Sequence, residues 1–336
     1  MAFELRLLLA VVTSFILSMV LAPPVIKMTK KFKASQSILE YVDNHKGKEG
    51  TPTMGGMIFL VSMSVTSFIF CGFKSKFLLV GIGITLGYGL LGFLDDFLKI
   101  KFRHNEGLKA YQKIIGQLGI AVIVTVFAYK YSYIGSVVNI PFTDIEFDMG
   151  LLYIPFTLLI FIATTNAVNL TDGIDGLAGS VTGIYTGIFT LITVVLCIRL
   201  EGDVILRDET ASLGVMSASL FGALLGFLWF NSNPAKIFMG DTGSLALGGA
   251  VSVLAVFTKN PFLIPMIGIM YMLSCISVII QVLYFKLTNG KRVFKMAPYH
   301  HHLQYKGYTE NKIVTFYSIV TLLFGLTALV STVIGR

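Results

Sequence analysis

FLLVGIGITLGYGLLGFLDDFLKIK, residues 77–101, decides how the chain is to be read. From Phe77 to Leu94 it carries no charged residue; then Asp95 and Asp96 stand side by side, followed by Lys99 and Lys101. An uncharged apolar run of this kind suits a bilayer-crossing helix, because ~20 residues rising 1.5 Å each span the hydrocarbon. Two adjacent carboxylates at its end are out of place. They repel each other, and at a helix C-terminus the backbone dipole disfavours them as well. A compensating positive charge is expected, partly from Lys99 and more from a divalent metal, because ionisable groups at membrane depth are functional by default.

The rest of the chain agrees with a membrane reading. Residues of the class AVILMFWYC make up 55% of the chain and charged residues 13%, with a mean hydropathy of +0.79. A soluble domain is closer to a quarter charged. The expected fold is an all-α integral membrane protein, a single polytopic domain over residues 1–336. Apolar runs fall near 5–26, 54–72, 77–94, 114–129, 151–168, 177–198, 211–230, 243–257, 262–286 and 313–334, about ten transmembrane helices. The first run is too long for a signal-peptide core, and Pro23-Pro24 stands where a cleavage site would be.

The net charge of +8 belongs to loops rather than to a nucleic-acid face. Alternate connections, 27–53, 95–113, 231–242 and 286–312, hold 18 of the 26 Lys and Arg. Positive loops stay in the cytoplasm, so both termini are expected outside. Every unusual polar motif then falls on the cytoplasmic face. Cys71, Cys197 and Cys275 are scattered, with neither metal nor disulfide spacing.

Several motifs reduce to structure. GYGLLG (87–92) matches a dinucleotide fingerprint only in letters, since no strand precedes it; small residues there let helices approach. Asn169-Leu170-Thr171 is a glycosylation sequon on the wrong side of the membrane. Others resist that reduction. NLTDGIDGLAG (169–179) carries Asp172 and Asp175 at i, i+3 with Asn169 a turn earlier, a common face if the segment is helical. FNSNPAKIFMGDTGSLALGG (230–249) brings Asn231, Lys236 and Asp241 to the same surface. Oxygen donors of this kind suit Mg²⁺, which uses one or two carboxylates together with substrate phosphates. APYHHHLQYKG (297–307) holds three consecutive histidines that cannot share one helical face, which speaks against a closed zinc cage and for donors to an anionic group. TPTMGG (51–56) alone reads as a turn before a helix. Carboxylates with lysines at a membrane surface fit phosphate chemistry between a soluble and a lipid substrate.

TPTMGG, LGFLDDFLK, NLTDGIDGLAG, NSNPAKIFMGDTGSLALG and APYHHHLQ, in this order over residues 48–307, resemble the bacterial phospho-N-acetylmuramoyl-pentapeptide transferases of the polyprenyl-phosphate N-acetylhexosamine-1-phosphate transferase superfamily. The resemblance implies a ten-helix, commonly dimeric enzyme of the inner membrane and of peptidoglycan synthesis. Such an enzyme transfers phospho-N-acetylmuramoyl-pentapeptide from its UDP form to undecaprenyl phosphate, giving lipid I and UMP with Mg²⁺. Motif by motif, it implies Asp241 as metal ligand and Asp95, Asp96 and Asp241 as catalytic, with Asp95 deprotonating the lipid phosphate. It implies Lys48, Thr53, Asn169, Asp172, Asp175, Asn231, His300, His301 and His302 at the nucleotide-sugar site, and Lys99 and Lys113 on phosphates. Covalent attack by an aspartate and direct attack by the lipid phosphate both fit the sequence. The rival within the superfamily is a UDP-N-acetylglucosamine-1-phosphate transferase, against which TPTMGG and the unbroken HHH speak. A cation-coupled transporter would need its carboxylates near the midplane on broken helices.

Overall fold

The apolar run at 77–94 forms the middle of a longer helix, α3 (Lys76–Phe102). It belongs to a computed structural model that describes residues 1–31, 50–102 and 107–334. Around it stand α1 (Phe3–Lys31), α2 (Gly56–Cys71), α4 (Ala110–Lys130), α5 (Tyr153–Thr171), α6 (Leu177–Arg199), α7 (Val204–Asn231) and α8 (Gly240–Phe257). They are followed by α9 (Leu263–Ile267), α10 (Ile269–Leu287), the short α11 (Tyr299–Gln304) and α12 (Glu310–Ile334). Among the described residues nine helices are long and apolar enough to cross a membrane, and α2, with 16 residues, is a shorter apolar one. The fold is that of an all-α integral membrane protein, with one small addition. Strands β1 (Val137–Asn139) and β2 (Glu146–Asp148) pair antiparallel, Val138 opposite Phe147, in the connection between α4 and α5.

Most helices outrun the apolar runs that mark them, α2 and the start of α5 excepted. Hydropathy marks where the chain leaves lipid, whereas the hydrogen-bond ladder continues into water. Thus α1 runs through Pro23 and Pro24 to Lys31, and α7 starts at Val204, where the Asp203 carboxylate accepts from Leu206 N at 3.0 Å. The Asp95–Asp96 pair therefore lies within a helix that continues to Phe102, not at a helix end. The unfavourable C-terminal dipole expected at Asp95 and Asp96 is absent, while their burial close to Asp241 remains. The expected span 262–286 is broken in two at Gly268, whose ψ of 29° leaves the helical range between α9 and α10.

At the centre is α8, every residue of which is buried except Asp241. Lipid offers no hydrophobic drive between helices, so close packing of small residues holds them together. A Cβ at Gly92 of α3 would fall on the Asp241 carbonyl, and one at Gly248 would lie 2.5 Å from the Thr165 Cα of α5. Buried hydroxyls turn back on their own helices, as Thr186 donates to Thr182 O at 2.9 Å and Ser252 to Gly248 O at 2.9 Å.

Carboxylates hold α3 near both of its ends. At its start, Glu209 of α7 accepts from Ser75 Oγ at 2.5 Å and Phe77 N at 2.8 Å, capping the helix from outside. Near its other end are Asp95 and Asp96. Phe3 packs near Gly214 in the first half of α7, and Arg199 donates to Val333 O at 2.7 Å. Both termini thus lie at the end of the bundle away from the aspartates, with the β-hairpin, whose Asn139 N donates to Lys259 O at 2.8 Å.

Candidate active site

Asp95 and Asp96 face the first turn of α8 because Gly92, one turn earlier, lets the two backbones touch. Asp96 is 1% exposed and both its oxygens are engaged. Oδ1 accepts from Asp241 N at 3.1 Å; Oδ2 accepts from Thr242 N at 2.9 Å and Thr242 Oγ1 at 2.7 Å. These are first-turn amides of α8, so Asp96 is a cap supplied by a neighbouring helix, with its charge at the favourable end of the dipole. Asp95 Oδ1 accepts from Leu108 N at 2.8 Å. Its Oδ2 is buried and pairs with the Lys99 ammonium at 2.6 Å, one helical turn on, with no other hydrogen-bond partner.

Asp241 collects the remaining charge. Lys99 Nζ donates to its Oδ2 at 2.9 Å and Lys113 Nζ to the same oxygen at 2.8 Å. Asn169 Nδ2, from the last turn of α5, donates to Oδ1 at 2.7 Å and to Ser244 Oγ at 2.7 Å. Asp95, Asp96 and Asp241 each offer an oxygen within 4.8 Å of the others. The donor set fits Mg²⁺: oxygen atoms only, three carboxylates against two ammonium groups, and one buried carboxylate oxygen held by an ion pair alone. Asp241 would be the residue to hold it, since Asp96 is saturated by α8 and Asp95 is paired with Lys99.

Asp172 and Asp175 do not share a helical face. α5 ends at Thr171, and Gly176, at φ 76°, turns the chain into α6. Asp172 stays beside the cluster, where burial and the nearby Asp241, Asp96 and Asp175 push its carboxyl well above the usual range. Asp175 turns away. Its Oδ2 accepts from Asn233 Nδ2 at 3.1 Å and Ala235 N at 3.0 Å, which ties down the NSNPAKIF loop. Asn231 donates to Ile237 O at 2.9 Å within the same loop, leaving its buried Oδ1 unpartnered.

TPTMGG is more than a turn. Gly55 N donates to Phe238 O at 2.8 Å and Gly56 N to Met239 O at 3.0 Å, so the start of α2 is pinned to the segment before Asp241. The Thr53 hydroxyl is buried and unpartnered beside Gly240. The three histidines diverge rather than forming one row of donors. His300 is fully buried and neither ring nitrogen has a partner; burial and His301 beside it hold its imidazole well below the ordinary value, hence neutral. His301 Nδ1 meets Gln304 Oε1 at 2.7 Å, and His302 Nδ1 accepts from Lys295 N at 3.1 Å. Lys48 lies outside the described residues.

Four participants escaped the sequence reading. Thr242 and Ser244 lie within GDTGS, and their distance from Asp241 along a starting helix was a usable signal. Gln304 follows the histidines. Glu310, the first residue of α12, accepts from Asn233, Gln304 and the Asp175 amide, and no motif marks it.

Residues 78–259 match glycosyl transferase family 4, and residues 48–60 match the phospho-N-acetylmuramoyl-pentapeptide-transferase signature 1. A phospho-N-acetylmuramoyl-pentapeptide-transferase of Clostridium perfringens (strain 13 / Type A) is 45% identical over 97% of this chain and 98% of its own. Its counterpart in Thermoanaerobacter sp. (strain X514) is 44% identical over 95% and 96%. That of Clostridium botulinum (strain Eklund 17B / Type B) is 46% identical over 94% and 93%. With identity of this order along almost its whole length, and with its carboxylates and lysines drawn to one end of a membrane bundle, the chain belongs to the phospho-N-acetylmuramoyl-pentapeptide-transferase family.

Proposed function

We propose that the protein transfers phospho-N-acetylmuramoyl-pentapeptide from its UDP-linked form to undecaprenyl phosphate at the cytoplasmic face of a bacterial inner membrane, releasing UMP. The observation that carries this reading is the convergence of Asp95, Asp241, Lys99 and Lys113 at one end of a bundle of membrane-crossing helices. Water-soluble diphosphate and lipid phosphate meet most directly at such a place. The names and near-complete coverage of the relatives support the same substrates.

In the reaction an oxygen of the lipid phosphate bonds to the sugar-linked phosphorus, and the bond from that phosphorus to the UMP oxygen breaks. Asp95 accepts the proton of the lipid phosphate through Oδ2, the oxygen that only Lys99 engages. Lys99, between Asp95 and Asp241, pairs with both carboxylates and, with Lys113, faces phosphate oxygens as charge moves onto the leaving group. Mg²⁺ bound by Asp241 would neutralise diphosphate oxygens. Asp96 serves by fixing Asp241 rather than by reacting. Thr53, Asn169, Asp172, Asn231 and the histidines line the nucleotide-sugar site, Lys48 adds to binding there, and Asp175 shapes the site through the 232–237 loop. The enclosure of α8 by α2, α3 and α5 supports a single polytopic domain.

The test is UMP release by the purified protein in detergent with undecaprenyl phosphate and Mg²⁺, offered UDP-N-acetylmuramoyl-pentapeptide and UDP-N-acetylglucosamine in parallel. Turnover is expected with the first alone. Turnover with only the second, or UMP release independent of the lipid, would sink the reading.

A further inference from the structure

The geometry points to Glu310 as a positioning residue that fixes the proton on His301 through Gln304, so that His301 meets the nucleotide sugar through Nε2. This rests on the reading of the site as a nucleotide-sugar site and names a determinant of that recognition.

A carboxylate accepts hydrogen bonds and donates none. Glu310 Oε1 faces Gln304 Nε2 at 3.3 Å, so the amide nitrogen is the end of Gln304 turned towards it. The amide oxygen is thereby turned to His301 Nδ1, 2.7 Å away, and an amide oxygen only accepts. Nδ1 must carry the hydrogen. In the neutral ring that tautomer makes Nε2 the acceptor, suited to a hydroxyl or imide N–H of the ligand rather than to a phosphate oxygen. The direction of the ring agrees. A Cβ at Gly173 would lie 3.1 Å from His301 Nε2, so this nitrogen borders the turn between Asp172 and Asp175. Gln304 is 8% exposed, so water competes little for the relay.

Glu310 is itself held. Its Oε2 accepts from Asn233 Nδ2 at 3.1 Å and from Asp175 N at 3.4 Å. The first residue of α12 thus joins the histidine helix to the loop before Asp241, and both sides of the nucleotide site share one acceptor.

The experiment measures the affinity of the full chain in detergent for UDP-N-acetylmuramoyl-pentapeptide, without lipid acceptor, by calorimetry. Glu310→Ala and Gln304→Leu should each weaken binding about tenfold, the worth of one well-made hydrogen bond. In a His301→Ala background Gln304→Leu should change affinity less than about twofold, because the group it positions is gone, and Glu310→Ala should lose only the part that comes from the Asn233 loop. Gln304→Leu leaves the Asp175–Asn233–Glu310 contacts intact, so it reports on the relay even if Glu310→Ala fails to fold. An equal loss in both backgrounds would mean a merely structural role and overturn the inference. So would a wild-type chain that does not bind this nucleotide. Binding with the expected pattern but without transfer in the assay above would retire the proposed reaction and leave the inference standing.

Discussion

Asp95 and Asp96 are neighbours in sequence with different surroundings, and the difference predicts different variants. Asp95 keeps one oxygen engaged only by Lys99, whereas Asp96 gives both oxygens to the first turn of α8. Asp95→Asn should lower turnover by about 10²–10⁴, the range for losing a proton acceptor, with a smaller drop in melting temperature than Asp96→Asn. Asp96→Asn loses a charge that accepts three hydrogen bonds, so it should lower turnover and also cost about 1 kcal/mol of stability. Turnover and thermal unfolding on both variants check the contrast; equal stabilities would contradict it. His300 gives a second prediction with a definite sign. Its folded-state value is held well below the ordinary one, so at mildly acidic pH the unfolded chain binds a proton that the folded chain refuses. Its stabilising contribution is complete above an unfolded value of about 6.5 and is lost as pH falls from there towards the folded value. The melting temperature of the ligand-free protein should drop between about pH 7 and 5, and His300→Phe should flatten that drop. The aspartates were legible in the sequence because charge in an apolar run has few structural uses. The division of labour between them was not, since it depends on which oxygen meets α8.

Between elements, the contact that makes the site is α3 against α8. A methyl group at Gly92 would overlap the Asp241 carbonyl and come within 2.6 Å of Thr242 N, both backbone atoms that cannot rotate aside. Gly92→Ala should therefore push the first turn of α8 off Asp96, at about 1–3 kcal/mol of stability, and abolish turnover although it alters no polar group. Thermal unfolding with an activity assay tests this; a fully active Gly92→Ala would show that the helices separate easily. The sequence displayed Gly92 as one of several small residues suited to packing, and it carried the number and rough places of the long helices. It concealed where α3 ends and how Asp172 and Asp175 diverge. The first is hidden because Phe97 to Phe102 extend the helix beyond the apolar run, supported by the Asp95–Lys99 pair at i, i+4. The second is hidden because α5 ends at Thr171, so the i, i+3 spacing of Asp172 and Asp175 no longer marks a common face. Glu310 left no trace, as an acidic residue at a helix start is ordinary; its partners come from sequence positions far from it.

For the whole molecule, the distribution of charge and the placement of the site make one joint statement. Asp241, Lys99 and Lys113 gather at one end of the bundle, while both termini and the β-hairpin lie at the other. The connections at the aspartate end hold 18 of the 26 Lys and Arg. Basic loops are retained in the cytoplasm during insertion, so the aspartate end should face inward, where UDP-linked sugars are made. Cysteine labelling in intact cells separates the two faces. Thr143 lies in the hairpin connection and Thr309 just before α12, and both are exposed. The native Cys71, Cys197 and Cys275 are buried or half-buried and give a low background. A membrane-impermeant maleimide should label Thr143→Cys in intact cells and Thr309→Cys only after lysis. The reverse pattern would place the carboxylates outside the cell, away from nucleotide sugar, and would remove the proposed reaction however well the aspartates bind a metal.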